Sequence, residues 1–138
     1  MAISARNKLQ GRVSSIKSGE AMSLVTLDAQ GTKIVAAVTN QGVEELNLKS
    51  NDQVTAVIKS TEVMLMKGGG QVTLSARNRF AGQVESVQKS EAMGLVTVKT
   101  GHFHLGADIT REAIDELSLK QGDQVTAVVK ATEVMLMK

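Results

Sequence analysis

Apolar positions along this chain fall in short alternating or β-branched runs, not in helical stripes. Residues 11–16, 23–29, 33–39 and 53–66 are rich in Val, Ile, Leu and Thr, which fit a pleated, half-buried surface. In the last run Val54, Ala56 and Ile58 alternate with Thr55, Val57 and Lys59, so one face is expected inward. Gly19, Gln30-Gly31 and Ser50-Asn51-Asp52 supply turn chemistry between the runs. Residues 39–46 (TNQGVEEL) and 110–117 (TREAIDEL) break the period of two and read as short helices, each opened by a threonine N-cap.

The whole pattern occurs twice. Ser4-Ala5-Arg6-Asn7 returns 71 residues later as Ser75-Ala76-Arg77-Asn78, and the same offset carries Gly11 onto Gly82 and Glu20-Ala21-Met22 onto Glu91-Ala92-Met93. It also carries residues 52–57 (DQVTAV) onto 123–128 and residues 61–67 (TEVMLMK) onto 132–138, without a gap. About half of the paired positions are identical, the mark of a duplicated domain. The expected division is a first domain at 1–67, a glycine-rich linker at 68–72 (GGGQV) and a second domain at 73–138. Four or five strands and one helical turn in each copy predict an all-β chain of two tandem OB-like Greek-key barrels, each with one short helix.

Composition sharpens this reading. Among 138 residues there is no Cys, Pro, Trp or Tyr and only two Phe, so the cores must be built from Val, Leu, Ile, Met and Ala. A disulfide scaffold, a thiolate metal site and a cysteine nucleophile are excluded. A copy of about 65 residues with no large aromatics buries too little to be robust alone. Packing of copy on copy, and of chain on chain in a symmetric homo-oligomer, is therefore expected. No apolar run approaches the roughly 18 residues of a membrane span, and the N-terminal residues lack the apolar core of a signal peptide. The expectation is a soluble cytoplasmic protein with no membrane partner. The net charge of +2 comes from cations dispersed among acids, and Phe80 and Phe103 are the only stacking platforms, so no nucleic-acid partner is expected.

Four polar sets recur at equivalent places: Ser4/Ser75, Arg6/Arg77, Thr39/Thr110 and Lys59/Lys130, with Ser60 opposite Ala131 beside the lysines. Every side chain in these four sets can donate a hydrogen bond and none of them is acidic, and a helix start adds free backbone N–H groups. Such a set suits a small oxyanion, and a dianion between one arginine and one lysine is charge-neutral. The same residues also suit a plainer role, with Ser4 and Asn7 capping a turn, the lysines solvated and the threonines merely capping helices. Other chemistry has less to stand on. His102 and His104 lack a third ligand and have Gly31 and Lys33 as counterparts, so no metal site is expected. Met64, Met66, Met135 and Met137 read as packing. No nucleophile with an adjacent base and no paired carboxylates recur, so the chain is not expected to be an enzyme and catalytic residues are none.

The Ser-Ala-Arg-Asn opening, the glycine four residues on (Gly11, Gly82) and the close Val-Thr-Ala-Val-[Ile/Val]-Lys-[Ser/Ala]-Thr-Glu-Val-Met-Leu together resemble the molbindin family, the molybdenum-pterin-binding-like (Mop, TOBE-type) domain. The resemblance spans both copies. It implies an OB-like barrel, and a cytoplasmic store or buffer for molybdate or tungstate with no organic cofactor. It also implies anion sites between domains, and a homo-oligomer, a trimer of six domains. By motif, Ser4, Arg6, Lys59, Ser60 and the backbone of Ala5 would line one oxyanion site. Ser75, Ala76, Arg77, Lys130 and the backbone of Ala131 would line its partner. Thr39 and Thr110, with the backbone near Gly42 and Ala113, would reach in from a neighbouring domain. The family's second class of site has only the loops at residues 20–22 and 91–93 as candidates. Replacement of Ser60 by Ala131 is expected to cost the second copy one hydrogen bond, about 0.5–1.5 kcal/mol. A pocket of donors alone would reject phosphate, whose proton would stay unpaired, but not tungstate. The alternative is a regulatory or protein-interaction module of a molybdate transport or regulation system.

Overall fold

The computed structural model describes residues 3–68 and 73–138. The first copy forms β1 (Asn7–Ser18), β2 (Met22–Ala29), β3 (Thr32–Thr39), α1 (Asn40–Glu45), β4 (Gln53–Ile58) and β5 (Met64–Lys67). The second forms β6 (Asn78–Lys89), β7 (Met93–Thr100), β8 (Phe103–Thr110), α2 (Arg111–Glu116), β9 (Gln124–Val129) and β10 (Met135–Met137). The fold is all-β, two curled five-stranded sheets with two short helices. Both helices begin as expected, Thr39 Oγ1 accepting from the Gly42 N–H and Thr110 Oγ1 from the Ala113 N–H. The linker expected at 68–72 lies, beyond Gly68, outside the described residues.

Local chemistry shapes each sheet. β2 turns into β3 through a two-residue loop in which Gln30 and Gly31 both have positive φ, 53° and 89°, the hand that matches strand twist. The β1–β2 register slips between Val13 and Ser15, and the β6–β7 register slips likewise between Val84 and Ser86. These bulges sharpen the bend of the long first strand of each copy. Just before them, Gly82 lies so close to the Lys99 carbonyl that a Cβ would overlap it, and at Gly11 the Asp28 oxygen would be 3.0 Å from a Cβ.

The sheets run β10-β4-β1-β2-β3 and β5-β9-β6-β7-β8, so each takes its fifth strand from the other copy. Met64 pairs with Val128, and Met135 pairs with Val57. The single strand expected over residues 53–66 is therefore two strands. Between them the Glu62 N–H donates to the Lys59 carbonyl at 3.0 Å, closing a 3-10 turn at Ser60–Glu62. The apolar pattern resumes after this turn because β5 is also half-buried, but it is buried in the other copy's sheet. Exchange of strands merges the interiors. One continuous core joins Val13, Leu27, Ile34 and Ile58 to Phe80, Leu105, Val129 and Val134. A satellite cluster around Val96, Val98, Ile114 and Leu119 completes the second copy. Copy packs on copy, as the small size of each demanded.

Candidate functional site

The two copies meet along a pair of seams, each held by an asparagine from the recurring Ser-Ala-Arg-Asn segment. Asn78 is 1% exposed and spans β3: its Nδ2 donates to the Val35 carbonyl at 2.8 Å, and its Oδ1 accepts from the Val35 N–H at 2.8 Å. Asn7 does the same on β8, donating to Gly106 O at 2.9 Å and accepting from Gly106 N–H at 2.8 Å. These asparagines do not cap a turn. They pair, amide against backbone, with the strand of the opposite copy and so place the preceding arginine beside that strand's outer face.

That outer face is set by the period of two. On β8, Leu105 and Ala107 are buried, so His104, Gly106, Asp108 and Thr110 face outward; on β3 the equivalent set is Lys33, Val35, Ala37 and Thr39. Across β8 come Arg6 and the turn that follows Lys59. The Ser60 hydroxyl donates to Asp108 Oδ2 at 2.5 Å, and Arg6 Nε lies 4.0 Å from the same oxygen. Ser60 is buried while Ser4, Arg6 and Lys59 are exposed, so the cations rim the seam from the solvent side. Across β3 come Arg77 and the turn that opens at the buried Ala131; Ser75 and Lys130, their neighbours in the chain, are exposed. Arg77 and Arg79 line a shallow cavity of about 340 Å³ with Lys33 and Val35. Ala5 and Ala76 are half-buried in the segments leading into the two seams.

Two sequence expectations change here. The N–H groups of Gly42 and Ala113 are already bonded to the threonine caps, at 3.0 and 3.1 Å, because a six-residue helix satisfies its first donors locally. What remains available from Thr39 and Thr110 is the hydroxyl proton, since each oxygen accepts in the cap and can still donate outward. The second change concerns Asp108. A search for recurring polar residues misses it because its counterpart is Ala37. Yet it occupies the Arg6 seam and accepts the hydrogen bond of the Ser60 hydroxyl, so the donor that Ser60 was expected to add there is used inside the protein. Among the described residues no buried side-chain nitrogen or oxygen lacks a partner.

Other candidates lie apart from the seams. His102 sits in the turn before β8 and His104 approaches Glu85 at 2.6 Å; no group of three His, Asp or Glu gathers among the described residues. Met66 and Met137 are half-buried, while Met64 and Met135 are 46% and 41% exposed. The loops at residues 20–22 and 91–93 receive the first helical N–H groups, Asn40 N–H to Ala21 O and Arg111 N–H to Ala92 O, each at 2.9 Å. A depression of about 380 Å³ beside Gln10, Arg12, Asp28 and Lys138 shares no residue with either seam and carries both charge signs. No helix among the described residues is long and apolar enough to cross a membrane.

With this geometry in view, the chain finds its place among known proteins. The TOBE domain matches residues 3–65 and again 74–136, and the chain belongs to the TOBE domain family. It is 38% identical over 138 residues to a protein named molybdenum transport protein ModE of Herbaspirillum seropedicae, covering 99% of this chain and 51% of that protein. It is 46% identical over 67 residues to molybdenum-pterin-binding protein 1 of Clostridium pasteurianum, covering 48% of this chain and 98% of that protein. The chain thus spans about half the length of the longer curated relatives, while others are the length of one copy. A solved structure of the cytoplasmic molybdate-binding protein ModG, with molybdate bound, superposes with a TM-score of 0.94 at 36% identity, covering 99% of this chain and 98% of that one.

Proposed function

We propose that the chain is a cytoplasmic molybdate-binding protein, serving storage or homeostasis of the oxyanion, with tungstate accepted alongside molybdate. The observation that carries this reading is the pair of seams. In each, an arginine from one copy lies against a strand of the other, with a lysine following the strand paired beside that arginine's segment and a threonine ending the facing strand. One arginine and one lysine balance a dianion, and a threonine hydroxyl that accepts in its helix cap can still donate outward. The likeness to ModG, described as binding molybdate, supports the same ligand class. The exposed rim of each seam supports a role for further copies of the chain, and a trimer of six domains would bury it. Relatives named as binding and transport proteins support binding over catalysis, without an organic cofactor.

A second reading is favoured by the half-length match to ModE: the same pair of domains would serve as the ligand-sensing part of a larger transport or regulatory protein. Native mass spectrometry with and without molybdate separates the two. A trimer that gains several oxyanions supports storage; a monomer unchanged by molybdate counts against it. Calorimetry supplies the residue test. Arg6→Ala combined with Arg77→Ala is expected to abolish most molybdate binding, and unchanged affinity would refute the placement of the anion at the seams.

A further inference from the structure

The duplication makes most inter-copy contacts come in equivalent pairs, and one that breaks this symmetry lies in the proposed site itself. Asn7 on Gly106 is matched by Asn78 on Val35, and Lys138 on Asp52 by Lys67 on Asp123. The Ser60–Asp108 hydrogen bond has no match, because the equivalent positions hold Ala131 and Ala37. Both members of the pair differ together. The Asp108 carboxylate, which has 28% of its side chain exposed, sits among the donors that an oxyanion would need. It accepts the hydrogen bond of the Ser60 hydroxyl, and its charge lies beside the Arg6 guanidinium.

Building on the molybdate reading, we propose that Asp108 makes the two seams of one chain inequivalent. It acts as an internal anion in the Arg6 seam, so a tetrahedral dianion fills the Arg77–Lys130 seam first. The Arg6 seam then binds only in competition with the carboxylate. A second negative charge at hydrogen-bond range opposes the dianion, and it also withholds one hydroxyl donor. The order is the reverse of what Ser60 alone implied, since the copy with the extra hydroxyl is the weaker one. Asp108 is accordingly an affinity- and occupancy-setting residue, although it is the one group in the seam that cannot bind an oxyanion when ionised.

The test is calorimetric titration of the full chain with sodium molybdate at neutral pH. The wild type is expected to show two classes of site per chain, the weaker removed by Arg6→Ala and the tighter by Arg77→Ala. Asp108→Ala, and the double variant Ser60→Ala with Asp108→Ala that copies the other seam, should tighten the weak class by roughly tenfold or more. Asp108→Asn keeps an acceptor for Ser60 but loses the charge, so it should tighten the weak class as well. Conversely, Ala37→Asp should weaken the tight class. If the wild type takes up molybdate but Asp108→Ala and Asp108→Asn leave both classes unchanged, the role of Asp108 is overturned while molybdate binding stands. If no molybdate binds to the wild type or to any variant, the functional reading itself fails, and this inference with it.

Discussion

At the scale of single residues, the recurring Ser-Ala-Arg-Asn segment divides its labour. The arginine stays at the solvent rim, whereas the asparagine is a structural bolt whose amide replaces a strand partner for the opposite copy. Asn78→Ala would leave the buried Val35 N–H and carbonyl unpaired. It is expected to lower the unfolding free energy by about 1–3 kcal/mol in urea titrations, with Asn7→Ala similar. An effect within a few tenths of a kcal/mol would remove the bolt from the argument. Gly82 is a second fixed point: a methyl there drives into the Lys99 carbonyl, so Gly82→Ala should destabilise by about 1–3 kcal/mol, and Gly11→Ala by less. Asparagine and glycine were visible in the sequence as recurring letters. Their reasons were not, because each acts on backbone more than ten positions away.

At the scale of elements, the exchanged strands are fastened at their ends by charge. Lys138 Nζ lies 3.0 Å from Asp52 Oδ2 and donates to the Asn47 carbonyl at 2.8 Å; Lys67 Nζ lies 3.1 Å from Asp123 Oδ2 and donates to the Ser118 carbonyl at 3.0 Å. The Lys138 hydrogen bond, with the Lys49 N–H, holds the Asp52 carboxyl below its ordinary value of 3.8; the Lys120 N–H and then Lys67 do the same for Asp123. A depressed folded value means that the unfolded chain takes up protons first. The contribution is therefore complete above pH 3.8 and is lost as pH falls through the lower folded values. Urea midpoints measured across that acid window should drop less steeply in Lys138→Ala than in the wild type; parallel slopes would contradict the coupling. The short helices were legible because a threonine cap is a local signal. The break at Ser60–Glu62 was marked only by the polar run at residues 59–62, which holds no glycine or proline to signal a turn.

At the scale of the whole molecule, neither copy closes its own sheet. β4 presents an edge that only β10 covers, and β9 one that only β5 covers. A polypeptide ending after Lys67 keeps β5 but has no second copy to receive it. It is expected to associate by reciprocal exchange, running as a dimer or larger species in size-exclusion chromatography. A folded monomer of that length would show that exchange is dispensable.

The duplication, the all-β character, the capped helices and the recurring cations were all determined by the sequence itself. Each rests on residues near in the chain or on letters that repeat at a constant offset. Tertiary structure alone decided which sheet each final strand joins, because an edge strand's pattern is the same whichever edge it covers. It alone also turned Asn7 and Asn78 into inter-copy bolts and brought Asp108 to Arg6 and Ser60. Ser60 and Asp108 lie 48 residues apart and Arg6 is farther still, and the carboxylate that joins them occurs in only one of the two copies.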